Sequence, residues 1–167
     1  MKSSVGFLLA FYRVIANAAS FADDFLTARD QIPANDYAAL NELQENYLSK
    51  FNHLVSMCGT EEDYINLVTL GFLIEGTHPI EQFSEIASKA TMHCPDMVLN
   101  ALAEHHGEPV VNFVGALGTR IAPWVVAESI YPELLKYEHR KVYDEYFKPW
   151  IHNCVDANGE AIVGCGQ

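Results

Sequence analysis

Proline- and glycine-centred breaks constrain this chain more than any other feature, because they cut it into segments of helical rather than strand length. The breaks fall at "DQIPAND" (30–36), "GTEED" (59–63), "EGTHP" (75–79), "CPD" (94–96) and "EPV" (108–110). Proline is tolerated at a helix start, where its missing N–H costs nothing. Glycine closes helices by adopting left-handed backbone, so Gly59 and Gly107 read as stops. Thr60, followed by Glu61, Glu62 and Asp63, reads as an N-cap with acidic residues where the helix dipole favours them. The spacing predicts helices over 4–29, 35–57, 61–75 and 79–92, with Pro79 at the first position of the last. One more helix runs between Pro95 and Gly107. An apolar segment over about 109–131 follows, and Pro123 kinks or restarts it. No stretch alternates apolar and polar residues over strand length. The expected fold is all-α, an antiparallel bundle of six to seven helices in a single domain over 1–167.

Composition narrows the function classes. Half of the 167 residues are apolar and 19% are charged, as in a chain that buries a core. Twenty-two acidic against ten basic residues give a formal charge of −12. A nucleic-acid backbone or an anionic membrane would be repelled, so neither is an expected partner. Cys58, Cys94, Cys154 and Cys165 form no CxxC pair, and the expectation is a reduced, cytoplasmic chain. Residues 1–19 have features of a secretory signal: Lys2, the apolar run Val5–Phe11 and Ala16-Asn17-Ala18. Against that reading, Arg13 interrupts the run, and Val5, Leu8, Leu9, Tyr12 and Ile15 follow the spacing of an amphipathic helix. The expectation is a first core helix.

Chemistry-bearing residues are sparse. "EGTH" has the Glu-x-x-His spacing of carboxylate-bridged di-iron bundles in Glu75 and His78, yet lacks a second copy and sits at a helix end. "EHH" at Glu104, His105 and His106 reads as polar closure of a helix C-terminus. In "PWIHNC" Cys154 follows Trp150 and His152, although a free cysteine is most often a small buried hydrophobe. "ALGTRIAPWVVAES" (116–129) spaces Arg120, Trp124 and Glu128 by four, which on one helix shares a face. Buried, that face needs its two charges paired across the tryptophan; exposed, it is a solvated ridge.

Three stretches carry a family resemblance. They are "NALAEHHGEPVVNFVGALGTRIAPWVVAESIY" (100–131), "YFKPWIHNCVDANGEAIVGCG" (146–166) and, upstream, "LQENYLSKFNHLVSMCGTEEDY" (43–64). They resemble the TenA/thiaminase II family, fungal type, of the heme oxygenase-like superfamily, in a divergent and truncated form. The resemblance implies a bundle with a central pocket for the aminopyrimidine part of thiamin, lined here by Arg120, Trp124, Glu128, Trp150 and Tyr12. It also implies lost catalysis: the family's nucleophilic cysteine aligns with Ala122, its pocket tyrosine with Val126, and a further tyrosine with Cys154. The family's C-terminal helices, with its catalytic glutamate, fall beyond this sequence. Glu128 and Cys154 are the remaining candidates for chemistry, and no cofactor is expected.

Two other readings stand beside it. A heme oxygenase-like oxidase would use iron or heme at Glu75, His78, Glu104, His105 or Glu128. A non-catalytic interaction domain would cover the apolar face left by the missing helices with a second copy, making a homo-oligomer.

Overall fold

The computed structural model describes residues 20–151, and its regular structure is helical, with no strand among the described residues. Helix α1 is described over 20–30. It is followed by α2 (Tyr37–Ser49), a 3-10 turn (Asn52–Val55), α3 (Glu61–Leu73), α4 (Thr77–His93), α5 (Pro95–Glu104), α6 (Glu108–Ala116) and α7 (Pro123–Leu134). The last helix, α8 (140–151), is composite: an α turn Arg140–Val142, a π-helical stretch Tyr143–Phe147 and a final α turn Lys148–Ile151. Among the described residues the chain is an all-α bundle of eight helices.

The cap chemistry explains most of these boundaries. Asp36 caps α2 by accepting from Ala39 N–H at 3.0 Å. Thr60 and Asp63 cap α3 reciprocally: Asp63 N–H donates to Thr60 Oγ1 at 3.3 Å and Thr60 N–H donates to Asp63 Oδ2 at 2.7 Å. Pro95 and Pro109 stand in the first turns of α5 and α6, as their spacing predicts. Pro79 is not at the first position, because α4 begins earlier, at Thr77. The 35–57 segment is also shorter than expected, ending α2 at Ser49 and continuing as the 3-10 turn.

The largest departure is at 109–131, which is two helices joined by a turn rather than one kinked helix. Gly118 adopts φ +79, and a Cβ there would lie 2.6 Å from the Pro123 Cα. That left-handed turn suits glycine and sets Pro123 at the start of a new helix. Two serines of α4 hold the turn: Ser84 Oγ donates to Ala116 O at 2.6 Å, and Gly118 N–H donates to Ser88 Oγ at 3.1 Å. The extra break raises the helix count among the described residues above the six or seven expected.

The core lies where α3 packs on α5 and α6 while α4 packs on α2, α6 and α7. Phe83 of α4 meets Phe113 of α6 edge to face at 5.8 Å, and Phe25 of α1 meets Tyr47 of α2 at 5.1 Å. Gly71 of α3 makes room for the first pair, since a Cβ there would strike the Phe83 ring at 2.2 Å. Each such ring buries on the order of 2–3 kcal/mol of apolar transfer free energy.

A covalent link ties a surface loop to the edge of this core. Cys58, in the loop before α3, and Cys94, between α4 and α5, form a disulfide with Cα atoms 5.8 Å apart. This corrects the expectation that both are reduced thiols. The α4–α5 break brings Cys94 beside the loop held by the Thr60–Asp63 cap, and Tyr64 Oη accepts from Gly59 N–H at 3.1 Å in the same loop.

Candidate functional site

The predicted face at 116–129 is dispersed. Arg120 lies in the turn before α7, so the four-residue spacing does not align it with Trp124 and Glu128. Its guanidinium pairs with Glu81 of α4 at 3.4 Å, with both side chains partly exposed. Trp124 is 43% exposed and Glu128 is also exposed, because Val126, Ala127 and Ile130 occupy the core side of α7. Val126, aligned with a pocket tyrosine by the resemblance, is a core residue, and Ala122 is the N-cap of α7. Tyr12 and Cys154, together with Cys165, lie outside the described residues.

The metal candidates are also separated. Glu75 precedes α4, and its N–H donates to the buried Gln44 Oε1 at 2.7 Å, tying the α3–α4 loop to α2. His78 is exposed beside Glu45, 3.3 Å away. With Gly76 at φ +91 between them, Glu75 and His78 share no helix face. His105 caps α5 locally: its Nδ1 bonds Ala101 O at 2.8 Å and its Nε2 lies 3.2 Å from Thr69 Oγ1. No cluster of three or more metal-ligating side chains occurs among the described residues.

Trp150, another of the predicted ligand residues, lines a groove. On α8 its indole meets Phe147 edge to face at 6.0 Å and borders a groove of about 350 Å³ against α6. Val111, Gly115, Glu145 and Tyr146 complete the walls that matter chemically. Across α6 lies a second groove, of about 440 Å³, walled by Ile74, Ile80 and Phe83 and again by Val111 and Gly115. Val111 and Gly115 therefore form a ridge between two hollows. Val111 is 56% exposed, Ile80 41%, and a Cβ at Gly115 would meet nothing within 4 Å.

The physical origin of this ridge is a helix apolar on both sides. Val110, Phe113 and Val114 take the core face of α6, leaving Val111 and Gly115, four apart, outside. The π-helical stretch does the corresponding work on α8. One extra residue per turn re-aims side chains locally, a device frequent at functional sites. Here it contains Glu145 and Tyr146, and both also border a smaller hollow of about 120 Å³ beside His105, His106, Glu138 and Lys141. Tyr146 Oη accepts from Gly107 N–H at 3.2 Å, which fixes the phenol between the hollows.

Sequence reasoning missed Val111, Gly115, Glu145 and Tyr146. The signal for the first two was present in "EPVVNFVGA", where apolar residues occupy both faces of a short helix. The π-turn has no comparable local signature. No family model, no curated protein and no solved structure matches the chain.

Proposed function

We propose that this domain binds rather than transforms its ligand, and that the ligand is a cationic aromatic or amphipathic group received on the α6 face. The observation that carries the reading is the exposed Val111–Gly115 ridge between two open, mainly apolar hollows of about 350 and 440 Å³. Trp150 and Tyr146 offer aromatic surface. Glu145 beside them, and the net charge of −12, favour a positive or amine-bearing partner through carboxylate and cation–π attraction. The resemblance to TenA proteins supports a hydroxymethyl-aminopyrimidine as the first probe, because its flat ring stacks on indole and its amine donates to a carboxylate.

Melting of the purified chain with and without that probe, alongside titration with a neutral apolar dye, tests the reading. A ligand at one hundred times its Kd stabilises the fold by about 2.7 kcal/mol. A Cβ at Gly115 would stand in open space between the two hollows, so Gly115→Trp should obstruct both, keep the fold and lose probe and dye binding. Saturable binding that survives Gly115→Trp, or no binding of either probe to the unaltered chain, sinks the proposal.

A second copy of the chain is the other occupant that the exposed Ile80 and Val111 favour. Sedimentation at micromolar concentration separates the two. A dimer abolished by Val111→Asp supports self-association, and a monomer that binds the probe supports the ligand reading.

A further inference from the structure

Independently of the α6 face, the Cys58–Cys94 disulfide changes the meaning of the first residues of the sequence. We propose that the chain is exported into an oxidising compartment, that residues 1–18 are its export signal, and that a peptidase hydrolyses the Ala18–Ala19 bond.

Two separate observations converge here. Thiols of cytosolic proteins are kept reduced, whereas disulfides persist in the periplasm, the secretory lumen and outside cells. Cys58 and Cys94 are 36 residues apart in sequence and are brought together by packing of the α2–α3 loop against the α4–α5 junction. Cys58 is exposed, within reach of an oxidant, and Cys94 is buried in the core once the bond is closed.

The N-terminal residues match the three parts of a signal in order. Lys2 supplies the basic start, and Val5–Phe11 supplies an apolar run of signal length, too short to be a membrane span. Arg13 then ends the apolar run ahead of the cleavage point. Ala16 and Ala18 stand third and first before the scissile bond, where small side chains are required. Cleavage spares the described core. Phe21, the first aromatic residue after that bond, packs edge to face on Tyr47 and Phe51 at 5.6 and 5.8 Å, and Phe25 follows one turn later.

The chemistry balances in two steps. Water adds across the Ala18–Ala19 amide, leaving a carboxylate on Ala18 and a free amine on Ala19. The Cys58 and Cys94 thiols then lose two protons and two electrons to a disulfide-bearing oxidase of that compartment, which is left as a dithiol.

The test is the intact mass of the full chain, carrying a C-terminal tag, from fractionated cells of a bacterial host with a periplasm. The expected species is periplasmic, begins at Ala19 and resists thiol alkylation at Cys58 and Cys94 until reduced. Leu8→Arg, outside the described core, should trap the full-length chain in the cytoplasm. Ala18→Phe should give exported but uncleaved protein. A soluble cytoplasmic chain that retains residues 1–18, with free thiols at Cys58 and Cys94, overturns the proposal, as does an exported wild-type chain that retains residues 1–18.

Discussion

The backbone N–H of Gly118 donates to the Ser88 hydroxyl at 3.1 Å, so a serine of α4 holds the turn that divides α6 from α7. One turn earlier Ser84 reaches Ala116 O at 2.6 Å. The two bonds are not equivalent. Ala116 O also accepts from Thr119 N–H and Thr119 Oγ1, whereas Ser88 Oγ is the acceptor beneath Gly118. Leaving a donor unpaired costs more than removing one of several bonds to an acceptor. Ser88→Ala should therefore cost about 1–2 kcal/mol and Ser84→Ala about 1 kcal/mol or less, read from urea midpoints at constant slope. Gly118→Ala should exceed both, at about 2–3 kcal/mol, because its φ of +79 is strained for any side chain and the new Cβ meets the Pro123 Cα. Equal effects for the two serines would show that the turn is not held by Ser88.

The disulfide closes a loop of 36 residues, which in the chain-entropy account stabilises by about 3–4 kcal/mol. Cys58→Ser is the cleaner variant, since Cys58 is exposed while a hydroxyl at Cys94 would be buried. It should lower the melting midpoint by about 10 °C for a domain of this size. Added reductant should then produce little further change. A melt of the unaltered chain that ignores reductant, with both thiols shown to be free, would remove the bond from the account of stability.

Alkaline pH should weaken the fold through its tyrosines. Burial pushes the phenols of Tyr64, Tyr47 and Tyr143 above their ordinary value near 10. A folded-state pKa above the unfolded one means that the native protein binds more protons in that range. The contribution is thus complete below about pH 10 and is lost as pH rises through the folded values. Urea midpoints measured from pH 8 to pH 11 should be flat at first and then fall. Tyr64→Phe should start lower, having lost the bond from Gly59 N–H, but decline less steeply. A slope unchanged by Tyr64→Phe would assign the alkaline loss to other groups.

Much of the fold was legible because its signals are local. Thr60 with Asp63, and Pro95 and Pro109 in first turns, act on the backbone within one turn of helix, so sequence spacing is enough. Pro123 was not legible in the same way. A proline in an apolar run permits either a kink or a new helix, and the outcome is decided by Gly118 and by two serines of α4, Ser84 lying 32 residues before its partner Ala116 and Ser88 lying 30 before Gly118. The Cys58–Cys94 pair fails to announce itself for the same reason, since only tertiary packing brings the two loops together. The candidate site divides along this line. Trp150 was expected and does line a groove, while Arg120 was placed by a spacing that holds only within one helix.

That division gives the sharpest prediction, a comparison of two tryptophans. Trp124 stands on the solvent side of α7 and lines neither hollow flanking α6, so Trp124→Ala and Glu128→Gln should leave aminopyrimidine binding unchanged and cost about 0.5 kcal/mol or less. Trp150 walls the groove. Stacking on an aromatic side chain is worth about 1–3 kcal/mol per base-like ring, and 1.4 kcal/mol is tenfold in Kd. Trp150→Ala should therefore weaken binding about tenfold or more. Because the indole also packs on Phe147, Trp150→Phe is the control: it keeps an aromatic ring in the groove and should restore most of the affinity. Glu145→Gln, at an exposed carboxylate, should weaken binding without changing the melting midpoint of the free protein. Loss on Trp124→Ala with none on Trp150→Ala would instead move the ligand to the exposed face of α7, where the sequence first suggested it.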